Sequence, residues 1–253
     1  LINWKNIEQQ LLKFLRDEVE KTGLKKVTVG LSGGLDSAIV AILCKQAFGE
    51  NMSCVLMPSQ FSSKSSIDDA KKLCEKFDIS YEIVDISPMI NAYINNMNED
   101  KLRIGNYSAR VRMSVLYDIS SRDSSIVVGT SNKSELLLGY GTIFGDIACA
   151  INPIGQMYKS DEYDFGKYLG VIEEVLTKKP SADLWEGQTD EDELGYTYKQ
   201  MDDVLKLMVD EKKSKDELIS LGIEEKLIDM LNHKIKSNEF KGKLPVIAKI
   251  QWS

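Results

Sequence analysis

Histidine is nearly missing from this 253-residue chain, which has only His233, and cysteine occurs only at Cys44, Cys54, Cys74 and Cys149. No pair of these cysteines has C-x-x-C spacing, and three lie inside apolar runs, so they read as reduced, structural thiols. A lone histidine is more often a surface or core side chain than a ligand. No apolar stretch reaches the length of about 18 residues that a membrane-spanning helix needs, and no charged-then-apolar leader follows Leu1. We therefore expect a cytoplasmic protein with no membrane contact, and the missing initiator Met suggests a trimmed start. The net charge of −7 argues against a general nucleic-acid binder. Hydrophobic and charged shares of 43% and 28% exclude the disordered and collagen-like classes. Neither an internal repeat nor a linker is visible, so residues 1–253 are expected to form a single domain.

The chain is organised around the stretch from Lys26 to Cys44. Lys26 to Leu31 is β-branched and glycine-bounded, as a buried strand would be, and Ala38 to Cys44 is an apolar helix behind a Ser/Asp start signal. Between them, Gly33 and Gly34 let backbone N–H groups approach a ligand, and the helix N-terminus favours phosphate oxygens. The turn lacks the lysine of G-x-x-x-x-G-K-[ST] and does not fit G-x-G-x-x-G. Ser32-Gly33-Gly34-Leu35-Asp36-Ser37 instead resembles the pyrophosphatase loop of enzymes that split ATP between its α and β phosphates.

Elsewhere, strand-like and helix-like segments alternate. Trp4, Ile7, Leu11, Phe14, Leu15 and Val19 recur at helical spacing, ending before Gly23. Met52 to Pro58 and Tyr81 to Ile86 read as strands, with a helix between them capped at Ser65-Ser66. Pro88 to Arg122 is long enough for two helices. Ser125 to Thr130 is a further buried strand, followed by a helix with Glu135 in its first turn. Thr130 and Glu135 then lie at a strand's carboxyl end, the edge where open α/β sheets bind ligands, within reach of Asp36. The polar segment 177–195 reads as a lid-like loop, and 197–235 as helical. The expected fold is a doubly wound five-stranded parallel sheet of order 3-2-1-4-5 with flanking helices.

Taken together, Gly129-Thr130-Ser131-Asn132-Lys133-Ser134-Glu135, Gly145-Asp146, Ile151-Asn152-Pro153-Ile154, Lys159 and Ser181-Ala182-Asp183-Leu184 resemble successive signatures of the ammonia-dependent NAD synthetases, over nearly the whole chain. The resemblance implies ATP-dependent amidation of deamido-NAD by ammonia through an adenylate, yielding NAD, AMP and pyrophosphate. It implies ATP contacts at Gly30, Leu31, Ser32, Gly33, Gly34, Leu35, Asp36 and Ser37, and at Thr130, Lys159 and Ser181. Deamido-NAD contacts are implied at Arg110 and at the His233-Lys234 pair, and Mg²⁺ at Asp36 and Glu135, hard oxygen ligands suited to that ion. Asp36 and Lys159 are the implied catalytic charges, with Asp146 to take a proton from ammonium. A homodimer is also implied, and free ammonia as nitrogen source, because no glutaminase domain is attached.

Two positions depart from the family's common pattern. Ile143 and Ala150 stand where a lysine and an aspartate bind deamido-NAD. Two alternatives to the amidation reading are another ATP pyrophosphatase, such as a tRNA-thiolating or GMP-forming ligase, and an adenine-nucleotide sensor that has lost its second substrate site.

Overall fold

The computed structural model describes residues 2–178, 191, 194–243 and 247–251. Four parallel strands, β1 (Lys26–Gly30), β2 (Met52–Leu56), β3 (Tyr81–Ile83) and β4 (Ser125–Val128), form a sheet of order β3-β2-β1-β4. Val29 aligns with Cys54 on one side and Val128 on the other, so the β-branched run sits between two neighbours, as its composition predicts.

Among the described residues the sheet has four strands, where five were expected. At the place of a fifth strand, Ile151 makes one parallel bridge to Val128, supported by Gly129 N donating to the Ile151 carbonyl at 2.8 Å. Pro153 lies two residues on, has no N–H to give to a ladder, and the chain turns away.

Helices cover the sheet. α1 (Trp4–Glu20) packs its apolar stripe on α2 (Leu35–Phe48), which is buried over most of its first three turns because its sequence is apolar on every side. α3 (Lys64–Phe77) is capped by Ser63, whose hydroxyl accepts from Ser66 N, rather than by the expected Ser65-Ser66. α4 (Ser87–Ile94) and α5 (Lys101–Asp123) fill the long connection that was read as two helices. After β4 come α6 (Lys133–Leu138), α7 (Lys159–Leu169) and α8 (Glu173–Leu176).

The C-terminal part contributes α9 (Tyr198–Leu205), a π-helical turn at Lys206–Asp210, α10 (Lys215–Ser220) and α11 (Glu225–Asn238). Its apolar residues form a second core with Leu138 and Tyr158, which fastens this layer to α6 and α7. The contact is close: a side chain at Gly139 would meet Asn238 Cβ at 2.1 Å. Most of the lid-like segment 177–195, Ser181 included, lies outside the described residues. No helix among the described residues is long and apolar enough to cross a membrane.

Candidate active site

A cleft of about 660 Å³ opens at the carboxyl ends of β1 and β4, where the strand order reverses. One wall is the turn between β1 and α2. Gly33 has φ +82°, and a Cβ there would lie 2.1 Å from the Ser66 carbonyl oxygen, so glycine is required both by the backbone angle and by the approach of α3. The turn holds itself in shape: Ser32 N donates to Ser37 Oγ at 3.2 Å, and Ser37 Oγ donates to the Gly34 carbonyl at 3.1 Å. The N-cap Gly34 has no side chain to spend on the first turn of α2, which leaves those N–H groups for an anion.

Asp36, in that first turn, anchors the floor. Its Oδ1 accepts from Asn132 Nδ2 at 2.7 Å and its Oδ2 pairs with Lys159 Nζ. Burial would push the Asp36 carboxyl up, but the Lys159 ammonium and its hydrogen bonds outweigh this and hold it at about 2. Asn132 also closes a capping box with Glu135, donating its N–H to Glu135 Oε2 at 3.2 Å and accepting from Glu135 N at 2.9 Å. Burial, together with the Asp36 charge, pushes Glu135 well above the ordinary carboxylate range. Beneath Lys159 lies Glu162, fully buried and 3.3 Å from the ammonium. Burial pushes it up strongly, and the Asp36 charge adds to the effect.

The start of α7, which carries Lys159, has no cap of its own. Ser134 Oγ accepts from Lys159 N at 3.0 Å and donates to Asp202 Oδ1 at 2.6 Å, while Asp202 Oδ2 accepts from Ser160 N at 2.8 Å. α6 and α9 thus supply the missing acceptors and set where the lysine emerges.

The opposite wall is the loop 139–150. Asp146 Oδ1 accepts from Thr142 N at 2.7 Å, and the carboxyl, surrounded by protein yet open to the cleft, is pushed up by burial. Lys241 Nζ enters from beyond α11 and donates to the Gly139 and Gly141 carbonyls at 2.7 and 3.1 Å.

Of the expected ATP residues, Gly30 lines the cleft from the end of β1, Leu31, Ser32 and Gly34 from the turn, and Leu35, Asp36 and Ser37 from α2. Thr130, Glu135, Asp146 and Lys159 join them from three further segments. Gly33 shapes the turn just behind this surface. Arg110 stands outside, donating to the Ile143 carbonyl at 3.2 Å and lining an adjoining hollow of about 230 Å³ with Tyr93 and Tyr107. His233 is exposed on α11, and neither it nor Lys234 lines the cleft.

A sequence model of the NAD synthase family matches residues 7–245. The chain belongs to the NAD synthase family. It is 48% identical over 252 residues to an NH(3)-dependent NAD(+) synthetase of Wolinella succinogenes, covering 99% of this chain and 98% of that one. A Campylobacter jejuni protein of the same name is 45% identical over 250 residues, 98% of this chain and all of the relative. Among solved structures, an NMN synthetase from Francisella tularensis superposes with a TM-score of 0.88 at 32% identity, covering 99% of this chain and 100% of that one. An NH3-dependent NAD synthetase from Campylobacter jejuni, in complex with the nitrate ion, gives 0.84 at 40% identity, covering 98% and 100%.

Asn132 and Glu162, packed against Asp36 and Lys159, and Lys178 and Lys241, which line the cleft, are positions that sequence reasoning passed over. Asn132 had a readable signal, since Asn three residues before Glu ahead of a leucine run is a capping box. Lys159 and Glu162 have the spacing of a helical i,i+3 pair, but nothing in that spacing shows that the pair is buried. Lys178 and Lys241 carry no local signal; only the folded chain brings them to the cleft.

Proposed function

We propose that the protein is an ATP-dependent amide ligase that joins ammonia to deamido-NAD, the last step of NAD biosynthesis, releasing AMP and pyrophosphate. The observation that carries this reading is the paired Asp36 and Lys159 beside an uncapped helix N-terminus, in a cleft large enough for a nucleotide. In the first step, a nicotinate carboxylate oxygen bonds to the α-phosphorus of ATP and the bond to the β-phosphate oxygen breaks. The turn from Ser32 to Ser37 receives the pyrophosphate, with the adenosine end along Gly30, Leu31 and Thr130, and with Ser181 as a further hydroxyl for ATP. In the second, ammonia bonds to the acyl carbon and AMP leaves with the electron pair of the broken C–O bond. Asp146 faces the same space and is our choice for the group that takes the proton from ammonium.

Asp36 and Glu135 are hard oxygen donors on one cleft, and a divalent cation between them would offset the burial and the Asp36 charge that push the Glu135 carboxyl up. We assign Mg²⁺ to Asp36 and Glu135, where it would neutralise phosphate oxygens. Among the described residues no group of three metal-ligating side chains is arranged to hold an ion alone, which fits an ion whose remaining ligands are phosphate and water. Arg110 is our deamido-NAD contact, in the hollow next to the cleft; His233 and Lys234 enter only through the resemblance. The homodimer and the cytoplasmic location belong to the same proposal.

A second reading has its own support. Ile143 and Ala150 replace two expected dinucleotide contacts, and one superposing structure is named NMN synthetase, so the accepted substrate could be the nicotinate mononucleotide. Pyrophosphate release from ATP, measured with ammonium and each nicotinate nucleotide in turn, tests both. Release that depends on deamido-NAD supports the first reading, release that depends only on the mononucleotide supports the second, and release indifferent to both overturns the pair.

A further inference from the structure

Lys178, two residues beyond α8, has no part in the chemistry so far, yet its ammonium stands at the back of the phosphate turn. Nζ donates to Asp69 Oδ2 at 3.0 Å, to Ser66 Oγ at 3.1 Å and to the Gly33 carbonyl at 3.5 Å. Asp69 and Ser66 are neighbours on α3, and Gly33 is the turn residue already wedged against Ser66. The side chain stays 28% exposed, on the cleft side, while its Asp69 partner is buried in the protein.

A lysine needed only to fasten α8 to α3 would do so away from the anion site. This one bonds the carbonyl of a residue that shapes the cradle, among the hydroxyls of Ser32, Ser37, Ser63 and Ser66, which line the same surface. The other lysine at the turn, Lys159, is already shared between Asp36 and Glu162. At the turn itself, the charge that collects on a departing pyrophosphate therefore meets a committed cation, Lys159, on one side. On the other it has an ammonium held by one carboxylate.

We propose that Lys178 is a pyrophosphate ligand, resting on Asp69 in the free protein and turning to the β- and γ-phosphate oxygens when they occupy the turn. This rests on the ATP-cleaving reading above. Charge-assisted bonds to phosphate are strong enough for one lysine to be visible in binding.

The experiment is calorimetric titration of the full chain with inorganic pyrophosphate in MgCl₂, and with AMP as control, for wild type, Lys178→Met and Asp69→Asn. Pyrophosphate affinity should fall about tenfold or more in Lys178→Met, the loss expected for one hydrogen bond to a charged group, with AMP affinity little changed. In Asp69→Asn, which frees the ammonium, pyrophosphate should bind as well as or better than in wild type. Equal affinity in Lys178→Met and wild type overturns the assignment. So does an equal loss in both variants, because the pair would then be a strap that shapes the turn. If Lys178→Met does not fold, Asp69→Asn decides: retained or tighter binding supports the assignment and weaker binding overturns it. Should wild type itself neither bind pyrophosphate nor release it from ATP, the ATP-cleaving reading fails, a result separate from any difference among variants.

Discussion

Lys159 and Asp36 are 123 residues apart in sequence and meet as a buried ion pair at the centre of the cleft. Each stands in the first turn of its own helix, and each helix starts without a side-chain cap of its own. The pair therefore joins two helix ends over one space: the α2 end favours a negatively charged ligand, while Ser134 and Asp202 already occupy the first N–H groups of α7.

Asp36→Asn is expected to keep the fold, since loss of the Asp36 charge removes one cause that keeps Glu162 protonated and lets it ionise beside the buried ammonium of Lys159. Turnover should fall by about two orders of magnitude or more, because an amide cannot match a carboxylate's charge at a divalent ion or orient the lysine. Circular dichroism melting and pyrophosphate release at saturating MgCl₂ check the two halves. Near-normal kcat would remove Asp36 from the reaction.

Glu162 sets a pH dependence whose sign follows from burial. The folded protein holds its proton well above 4.5, the ordinary value, because burial and the Asp36 charge disfavour the carboxylate. The unfolded chain releases that proton near the ordinary value, so between there and the raised folded value the native state binds more protons and stability falls as pH rises. Glutamine does not titrate. The Tm of Glu162→Gln should match wild type near about pH 4 and gain on it towards about pH 8, as linkage requires. A deficit of constant size across that range would mean that Glu162 stays ionised against Lys159 throughout.

How much of this was legible varies by element. The strand, turn and helix from Lys26 to Cys44 were readable because their signals are local: β-branched residues, paired glycines and an apolar helix. Glu135 in a first turn was readable for the same reason. The missing fifth strand was not, because 139–153 is apolar and glycine-punctuated like a strand while ladder formation depends on what Pro153 does after Ile151. Lys241 was not legible either. It acts across about a hundred residues, donating to the Gly139 and Gly141 carbonyls, and no local pattern around it points to the cleft.

Gly33→Ala separates backbone strain from close approach. Gly23 also has a positive φ, +74°, but open space around it, so Gly23→Ala should cost only the left-handed strain of an L-residue, about 1 to 2 kcal/mol. Gly33→Ala adds a Cβ at 2.1 Å from a backbone oxygen, which cannot move without shifting α3. We expect a larger loss of stability in denaturant melts and a weakened ATP affinity, whereas Gly23→Ala leaves ATP binding alone. Equal effects at the two positions would show that the turn does not depend on the Ser66 contact.

Asp146 has two jobs on offer, and the structure displays one of them directly: its Oδ1 holds Thr142 N, and Gly145 N donates to the Thr142 carbonyl at 2.9 Å, so the side chain orders its own turn. The other is chemical. Ammonia in neutral water is mostly ammonium, which must lose a proton before it can attack the adenylate, and a carboxylate facing the cleft both attracts the cation and accepts that proton. The protein around it raises the Asp146 carboxyl above the ordinary aspartate value, the direction that makes a carboxylate a better proton acceptor. In Asp146→Asn the amide oxygen can still accept from Thr142 N, so the turn should survive. On the chemical role, adenylate and pyrophosphate then form at normal rates while amide formation falls. That deficit shrinks as pH rises and free NH₃ becomes abundant. Quenched-flow separation of the two half-reactions across pH reads this directly. If both half-reactions fall together, or the protein melts at lower temperature with normal chemistry below that point, Asp146 serves the turn and the proton leaves by another route.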